Sequence, residues 1–225
     1  MPLPSLLAEA LGVVLPDRCA GCAAEGPVLC TDCSRALHGA EPMLVRPRHG
    51  GAVHAAHPYE GVARAALLAL KESGRTDLAS PLATSLAGAL RAALPPGDAP
   101  VPVVPVPASA AGDRRRGYRP VELLLRRAGL QPTRLLRARA DAGAQQKNLD
   151  RAGRAAARDD AYAVLPAGRR MRRTGVLLVD DVVTTGATLA AAMTALESAA
   201  IPVLGRAVLC ATPERIPSTS APERW

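Results

Sequence analysis

Apolar and polar positions along the chain change period several times, and each change marks an element. Leu3, Leu6, Leu7, Ala10, Leu11, Val14 and Leu15 fall at helical spacing and stop at Pro16, which predicts a short amphipathic helix over 3–15. Gly50–Tyr59 carries Val53, His54, His57 and Tyr59 behind a Gly-Gly pair and predicts a strand or hairpin. From Glu60 to Ser73, Val62, Ala65, Ala66, Ala69 and Leu70 return to helical spacing with Gly74 as the stop, and a second helix is expected from near Asp77 to Leu94. The proline-rich cluster at 95–100 is too short for a domain linker and reads as a turn. Val101–Pro107 alternates valine with proline, which removes ladder donors and suits a strand end at a loop or an edge strand. Residues 138–160 are polar and arginine-rich with no clear strand, the pattern of a lid or binding loop. Val203–Ala211 predicts a further strand with Cys210 as a small buried hydrophobe, and Pro213–Trp225 is expected to fray.

One stretch organises the rest. Val176–Val179 is apolar without alternation, as a strand covered on both faces by helices must be, so the sheet is expected to be parallel and the class α/β. Asp180 and Asp181 close that strand at its carboxyl end, where open α/β sheets bind ligands. Thr184, Thr185, Gly186, Ala187 and Thr188 then form a small-residue turn into the helical run Leu189–Ala199, so that backbone amides converge as they do around a phosphate. Paired carboxylates are poor neighbours for a phosphate unless they serve a diol or a Mg²⁺ ion. An ordinary βα turn with a plain Mg²⁺ site is the competing reading.

Composition changes the picture in two places. Cys19-x₂-Cys22 and Cys30-x₂-Cys33 are two knuckles able to aim four thiolates at one centre, the pattern of a closed structural Zn²⁺ site rather than a redox pair; His38 is then surplus. The net charge is +8, with 26 Arg against 2 Lys, and nine of those Arg fall between residues 114 and 139 against one Glu. Such a run is either a solvated face or an anion-binding one. Aromatic residues make up only 2%, which argues against a stacking platform for single strands. No leader and no apolar run long enough for a membrane span is evident, so a cytoplasmic location is expected. The organisation expected is an N-terminal helix and zinc knuckle over 1–45, an α/β domain over 46–212 and a flexible tail over 213–225, with homo-oligomerisation left open.

The pattern of an apolar strand, Asp180-Asp181, an apolar pair and Thr184-Thr185-Gly186-Ala187-Thr188 resembles the phosphoribosyl-diphosphate (PRPP) signature of type I phosphoribosyltransferases. The resemblance implies that Asp180 and Asp181 hold ribose hydroxyls and Mg²⁺, that Thr184–Thr188 hold the 5′-phosphate, and that Pro107, Ala108 and Ser109 form the pyrophosphate loop. A Cys₄ knuckle pair ahead of this signature is similar to the ComF (ComFC/GntX-like) family, linked to DNA uptake in competent bacteria. The likeness also rests on Tyr59-Glu-Gly-Val with Leu70-Lys71 and Gly74, on Pro105-Val-Pro with Arg116-Gly-Tyr118, and on Gln146, Leu149, Arg151 and Arg154. It implies a phosphoribosyltransferase with Arg116, Arg151 and Arg154 at the leaving pyrophosphate. Alternatively it implies a non-catalytic adaptor of the same fold that engages single-stranded DNA or a helicase partner. Two positions depart from the family: Arg119-Pro120 stands where Asn-Gln is usual, and Ala157 where Asn is.

Overall fold

The computed structural model describes residues 18–95, 97, 100–108, 110–139 and 161–212. The helix expected over 3–15, Ser109, the stretch with Gln146, Leu149, Arg151, Arg154 and Ala157, and the tail from 213 lie outside them.

Five strands form the central sheet in the order β1 (Met43–Val45), β2 (Val53–Pro58), β7 (Val203–Ala211), β6 (Val176–Val183), β3 (Val103–Pro105). Every pairing is parallel except β1 with β2. Six helices surround the sheet: α1 (Thr31–His38), α2 (Gly61–Glu72), α3 (Ala79–Ala93), α4 (Ala110–Arg116), α5 (Pro120–Arg127) and α6 (Ala187–Ser198). A two-stranded antiparallel ribbon of β4 (Leu136–Ala138) and β5 (Tyr162–Val164) stands beside it.

The alternation along β6 divides the core in two. Leu177 and Val179 pack with Leu67, Leu82, Leu86 and Leu124 on one face, while Val176 and Leu178 pack with Val104, Leu189, Leu196 and Ile201 on the other. A strand buried on both faces has no place for polar alternation, which explains its sequence. With no Phe in the chain, leucine, valine and alanine supply this packing, and Leu78, Leu82, Leu86 and Ala89 reach zero exposure.

β6 is longer than the four apolar residues suggest: it runs through the acid pair to Val183, since Asp180, Val182 and Val183 keep their register with Val208, Cys210 and Ala211 of β7. β3 proves to be an edge strand, where missing proline donors cost nothing. The knuckle segment is joined to this body. Leu37 of α1 is buried in the first core cluster with Val28 and Leu29 packed against it, and Ser85 of α3 donates to the Leu37 carbonyl at 3.1 Å.

Candidate functional site

The site begins where β3 stops. Pro105 pairs with Val179, and the Val106 amide donates to the Val179 carbonyl at 2.8 Å as the last rung. Beyond that rung β6 continues with a partner on the β7 side only, and the space left beside it is a cavity of about 350 Å³. Asp180 and Asp181 line it together with Pro107 and Ala108, so the acid pair and the proline loop meet as the sequence suggested. Lys71, at the end of α2, reaches Asp181 at 3.1 Å. Burial pushes the Asp180 carboxyl well above the usual carboxylate range and the charge of Asp181 adds to it, against the pull of the Asp181 amide at 2.8 Å and of Lys71. Tyr162 of the ribbon is raised to about 12, by burial first and then by Asp180. A carboxyl raised in this way in a cavity wall is one that a bound cation or hydroxyl donors would return to its charged form.

Arg119, Arg134 and Arg137 line the same cavity beside Asp113 and Glu122, and the sequence reading gave none of the three a part in the PRPP site. Glu122, nearly buried, organises two: its carboxylate accepts from Arg134 at 2.8 and 2.5 Å and from Arg119 at 3.0 Å, with Arg126 at 3.4 Å. Burial alone would raise the Glu122 carboxyl, but the Arg134 and Arg119 hydrogen bonds and charges outweigh it and leave it lowered. Such a folded-state value gives stability that is present above the unfolded value of 4.5 and is lost as pH falls through the lower folded one. Glu122→Gln is therefore expected to lower stability at pH 7 by about 1–2 kcal/mol, since the arginines are half exposed and screened. The gap between variant and wild type should close in melting curves taken below pH 4.5.

Arg116 is placed differently from these. It does not line the cavity: its side chain, 10% exposed, faces Asp113 at 3.5 Å. The Tyr118 hydroxyl that follows donates to the Leu70 carbonyl, which pins the corner between α4 and α5 to the helix that carries Lys71. The Arg-Gly-Tyr motif thus has an architectural part in the site. Arg114 and Arg115 face solvent, with Glu72 3.7 Å from Arg115.

The Thr loop follows from one glycine. Gly186 caps α6 with φ 78°, and a Cβ there would overlap the His49 carbonyl, so only glycine fits. The His49 amide donates to the Thr185 carbonyl at 3.0 Å, which fixes the loop from outside. Ala187 donates to Thr185 Oγ1 at 3.4 Å, while Thr188 begins the helix beside it. Thr184 and Thr185 line a second cavity, of about 750 Å³, that shares no lining residue with the first.

At the amino end the thiol sulfurs of Cys19, Cys22, Cys30 and Cys33 all lie within 4.8 Å of one another. The Cys22 to Cys30 separation is 3.8 Å, which matches the roughly 3.8 Å edge of a sulfur tetrahedron around Zn²⁺ at 2.3 Å. Burial pushes the Cys19 thiol up, yet the amides of Cys30, Cys22 and Gly21 bring it down to about 6, as suits a thiolate ligand. Burial and then its cysteine neighbours raise Cys33 instead, so the free cluster retains a proton that a metal would displace. The residues fit a closed structural zinc site. A Cβ at Gly21 would press on Cys33 Sγ and on Val62 of α2, so the knuckle sits tightly against that helix. His38 is no member of the cluster; its Nδ1 lies 3.4 Å from Ser34 Oγ.

The family model for the phosphoribosyl transferase domain matches residues 115–223. The matched segment contains β6 with its acid pair and β7 of the mostly parallel sheet, so this part of the chain is similar to a phosphoribosyl transferase domain, and a four-cysteine cluster precedes it. Among curated proteins no match was found. No helix among the described residues is long and apolar enough to cross a membrane.

Proposed function

We propose that Mg²⁺·PRPP binds across the carboxyl end of β6, its ribose and pyrophosphate in the first cavity and its 5′-phosphate at the Thr loop that lines the second, and that the protein transfers the phosphoribosyl group to an acceptor with release of pyrophosphate. The observation that carries this reading is the lining of the cavity: the Asp180–Asp181 pair and the proline loop share it with Arg119, Arg134 and Arg137, of which Arg119 and Arg134 are partly neutralised by Asp113 and Glu122. A ribose diol needs acceptors and a pyrophosphate needs donors, and the lining holds both. In this reading Asp180 and Asp181 take the ribose hydroxyls, Lys71 screens the pair, and the amides of the Thr184–Thr188 loop take the 5′-phosphate. Arg119, Arg134 and Arg137 join Pro107, Ala108 and Ser109 in holding the leaving pyrophosphate, with Arg116, Arg151 and Arg154 as further candidates. Bound Mg²⁺ would neutralise charge on the pyrophosphate oxygens. Transfer breaks the C1′–O bond to pyrophosphate and forms one from C1′ to the acceptor, through an oxocarbenium-like state stabilised by position and charge. A cysteine cluster ahead of such a domain is also what the narrower ComF-like reading expects, and a place in DNA uptake would follow from that resemblance alone.

Mass action supplies the first test. At one hundred times its dissociation constant, Mg²⁺·PRPP should add about 2.7 kcal/mol to stability and raise the melting temperature, and Mg²⁺ with ribose 5-phosphate should do so less. An unchanged melting temperature at millimolar PRPP would set the reading aside.

A second reading, single-stranded DNA binding by an adaptor, rests on the exposed Arg114, Arg115 and Arg127, which are not among the residues lining the first cavity. Binding of this kind is expected to be weak in sequence preference and to fall steeply with salt, because each contact is arginine to phosphate. Titration of a fluorescent oligonucleotide at 50 and 200 mM salt checks it, and affinity unmoved in the Arg114→Gln/Arg115→Gln/Arg127→Gln variant rejects it.

A further inference from the structure

Apart from Asp180, every carboxylate that lines the first cavity already has a cation from this chain. Asp113 takes Arg119 at 3.2 Å and Arg116 at 3.5 Å, Glu122 takes Arg134 and Arg119, and Asp181 takes Lys71. Lys71 differs from the cavity arginines in where it stands. It is not among the residues that line the cavity, so it meets Asp181 from outside that lining. Its ammonium lies 3.2 Å from one oxygen of the carboxylate and 3.1 Å from the other. The position is also held by more than the ion pair. Lys71 falls in the last turn of α2, where the helix dipole favours a cation. Leu67 and Leu70 anchor that helix at 1% and 0% exposure, and the Leu70 carbonyl accepts from the Tyr118 hydroxyl. Among the described residues Asp181 is the only acidic partner of Lys71.

These distances separate two kinds of ligand. A Mg²⁺ ion on either oxygen of Asp181 would stand within about 5 Å of the ammonium, since its bond to oxygen is about 2.1 Å and both oxygens already touch Nζ. Like charges so close in a part-buried wall repel strongly. A sugar hydroxyl carries no net charge, and each carboxylate oxygen keeps a second lone pair with which to accept it. We propose that Lys71 is a specificity-determining residue of the acid pair: as its resident counter-charge it keeps a free divalent metal ion off Asp180 and Asp181 and leaves them to hydroxyl donors. That those hydroxyls belong to a ribose rests on the phosphoribosyltransferase reading above; the exclusion of metal does not.

The test titrates the zinc-loaded full chain with Mn²⁺ and follows the free ion by electron paramagnetic resonance. Mn²⁺ prefers carboxylate oxygens, and thiolates hold zinc in preference to it, so the cysteine cluster is left as it is. Wild type and Asp181→Asn should bind Mn²⁺ alike, because the pair in wild type holds none. Lys71→Met should gain one Mn²⁺ per chain, at least tenfold tighter than any bound by wild type, and Lys71→Met/Asp181→Asn should lose it. Lys71→Arg keeps the charge and should match wild type. Lys71→Gln takes the place of the methionine variant should melting curves show that the latter does not fold. Binding by wild type that Asp181→Asn removes overturns the proposal, and this arm needs no Lys71 variant. Equal binding by wild type and Lys71→Met overturns it too, as does a metal gained by Lys71→Arg as well as by Lys71→Met. Should the Mn²⁺ results come out as expected while Mg²⁺·PRPP leaves the wild-type melting temperature unchanged, Lys71 keeps this part and the phosphoribosyltransferase reading falls; the reverse result removes the part of Lys71 alone.

Discussion

Asp180→Asn is expected to raise the melting temperature of the free protein by a few degrees while weakening Mg²⁺·PRPP binding at least a hundredfold. The two effects have one cause. Because burial and Asp181 raise the folded-state value of Asp180 above its ordinary 3.8, the native state holds that proton longer than the unfolded chain does. Stability then falls as pH rises from 3.8 through the folded value, and above it the whole penalty is present. Asparagine keeps the shape and removes the charge; about 1 kcal/mol regained would appear as roughly 2–4 °C in a chain of this size. Asp181→Asn should also end binding, but it should lower the melting temperature, because Lys71, with its side chain only 25% exposed, loses the carboxylate 3.1 Å away. In the double variant the two stability changes oppose each other while binding stays lost. Calorimetry and melting curves on the three variants read both quantities. A double variant that binds Mg²⁺·PRPP as tightly as wild type would falsify the assignment of the acid pair to ribose and reduce the motif to a structural turn.

The other large effect belongs to the cysteines. Wild type should contain one Zn²⁺ per chain, and Cys22→Ser, which leaves three thiolates, should contain none after dialysis. A structural zinc site contributes about 10 kcal/mol or more to the segment that forms it, comparable to the entire stability of many domains. The knuckle is therefore expected to unfold in the variant, and α1 with it, since Cys33 lies in that helix. Hydrogen exchange should show protection lost over residues 18–40 and kept in β6 and β7, whose first core cluster takes only Leu37, Val28 and Leu29 from the leucines and valines of that segment and whose second takes none. Zinc-free wild-type protein prepared with zinc in the medium, or a variant as protected as wild type over 18–40, counts against the site.

The parts of this fold that could be read from sequence are those whose residues satisfy one requirement each. The apolar run of β6 states that both its faces are covered, the Cys-x₂-Cys pairs can converge without help from the rest of the chain, and Gly186 stands at a turn that only glycine can make. β4 and β5, three residues each, are too short for alternation to show, and their pairing spans a stretch that sequence reads as a loop. α4 hid within the basic run, because arginine favours helix and solvent alike. The same run concealed its own division of labour. Arg119, Arg134 and Arg137 differ from Arg114 and Arg115 only in where the chain carries them, and Glu122 looked like one acid among nine bases until the fold closed three of them around it. The acid pair was legible as a site; its strain was not, since that depends on β3 ending one rung below it.

β7 is the last strand among the described residues, yet it lies in the middle of the sheet, between β2 and β6. During synthesis β1 and β2 on one hand, and β6 with β3 on the other, emerge with edges that cannot meet, and each waits for the strand that separates them. Loop closure over most of the chain must precede that insertion, the circumstance in which sheets form slowly and exposed edges invite wrong partners. A ribosome that stalled just before Val203 would thus leave behind two half-sheets, with the strand that carries the acid pair lacking the neighbour that aligns it. Removal of β7 would therefore separate the two halves of the sheet rather than trim its edge.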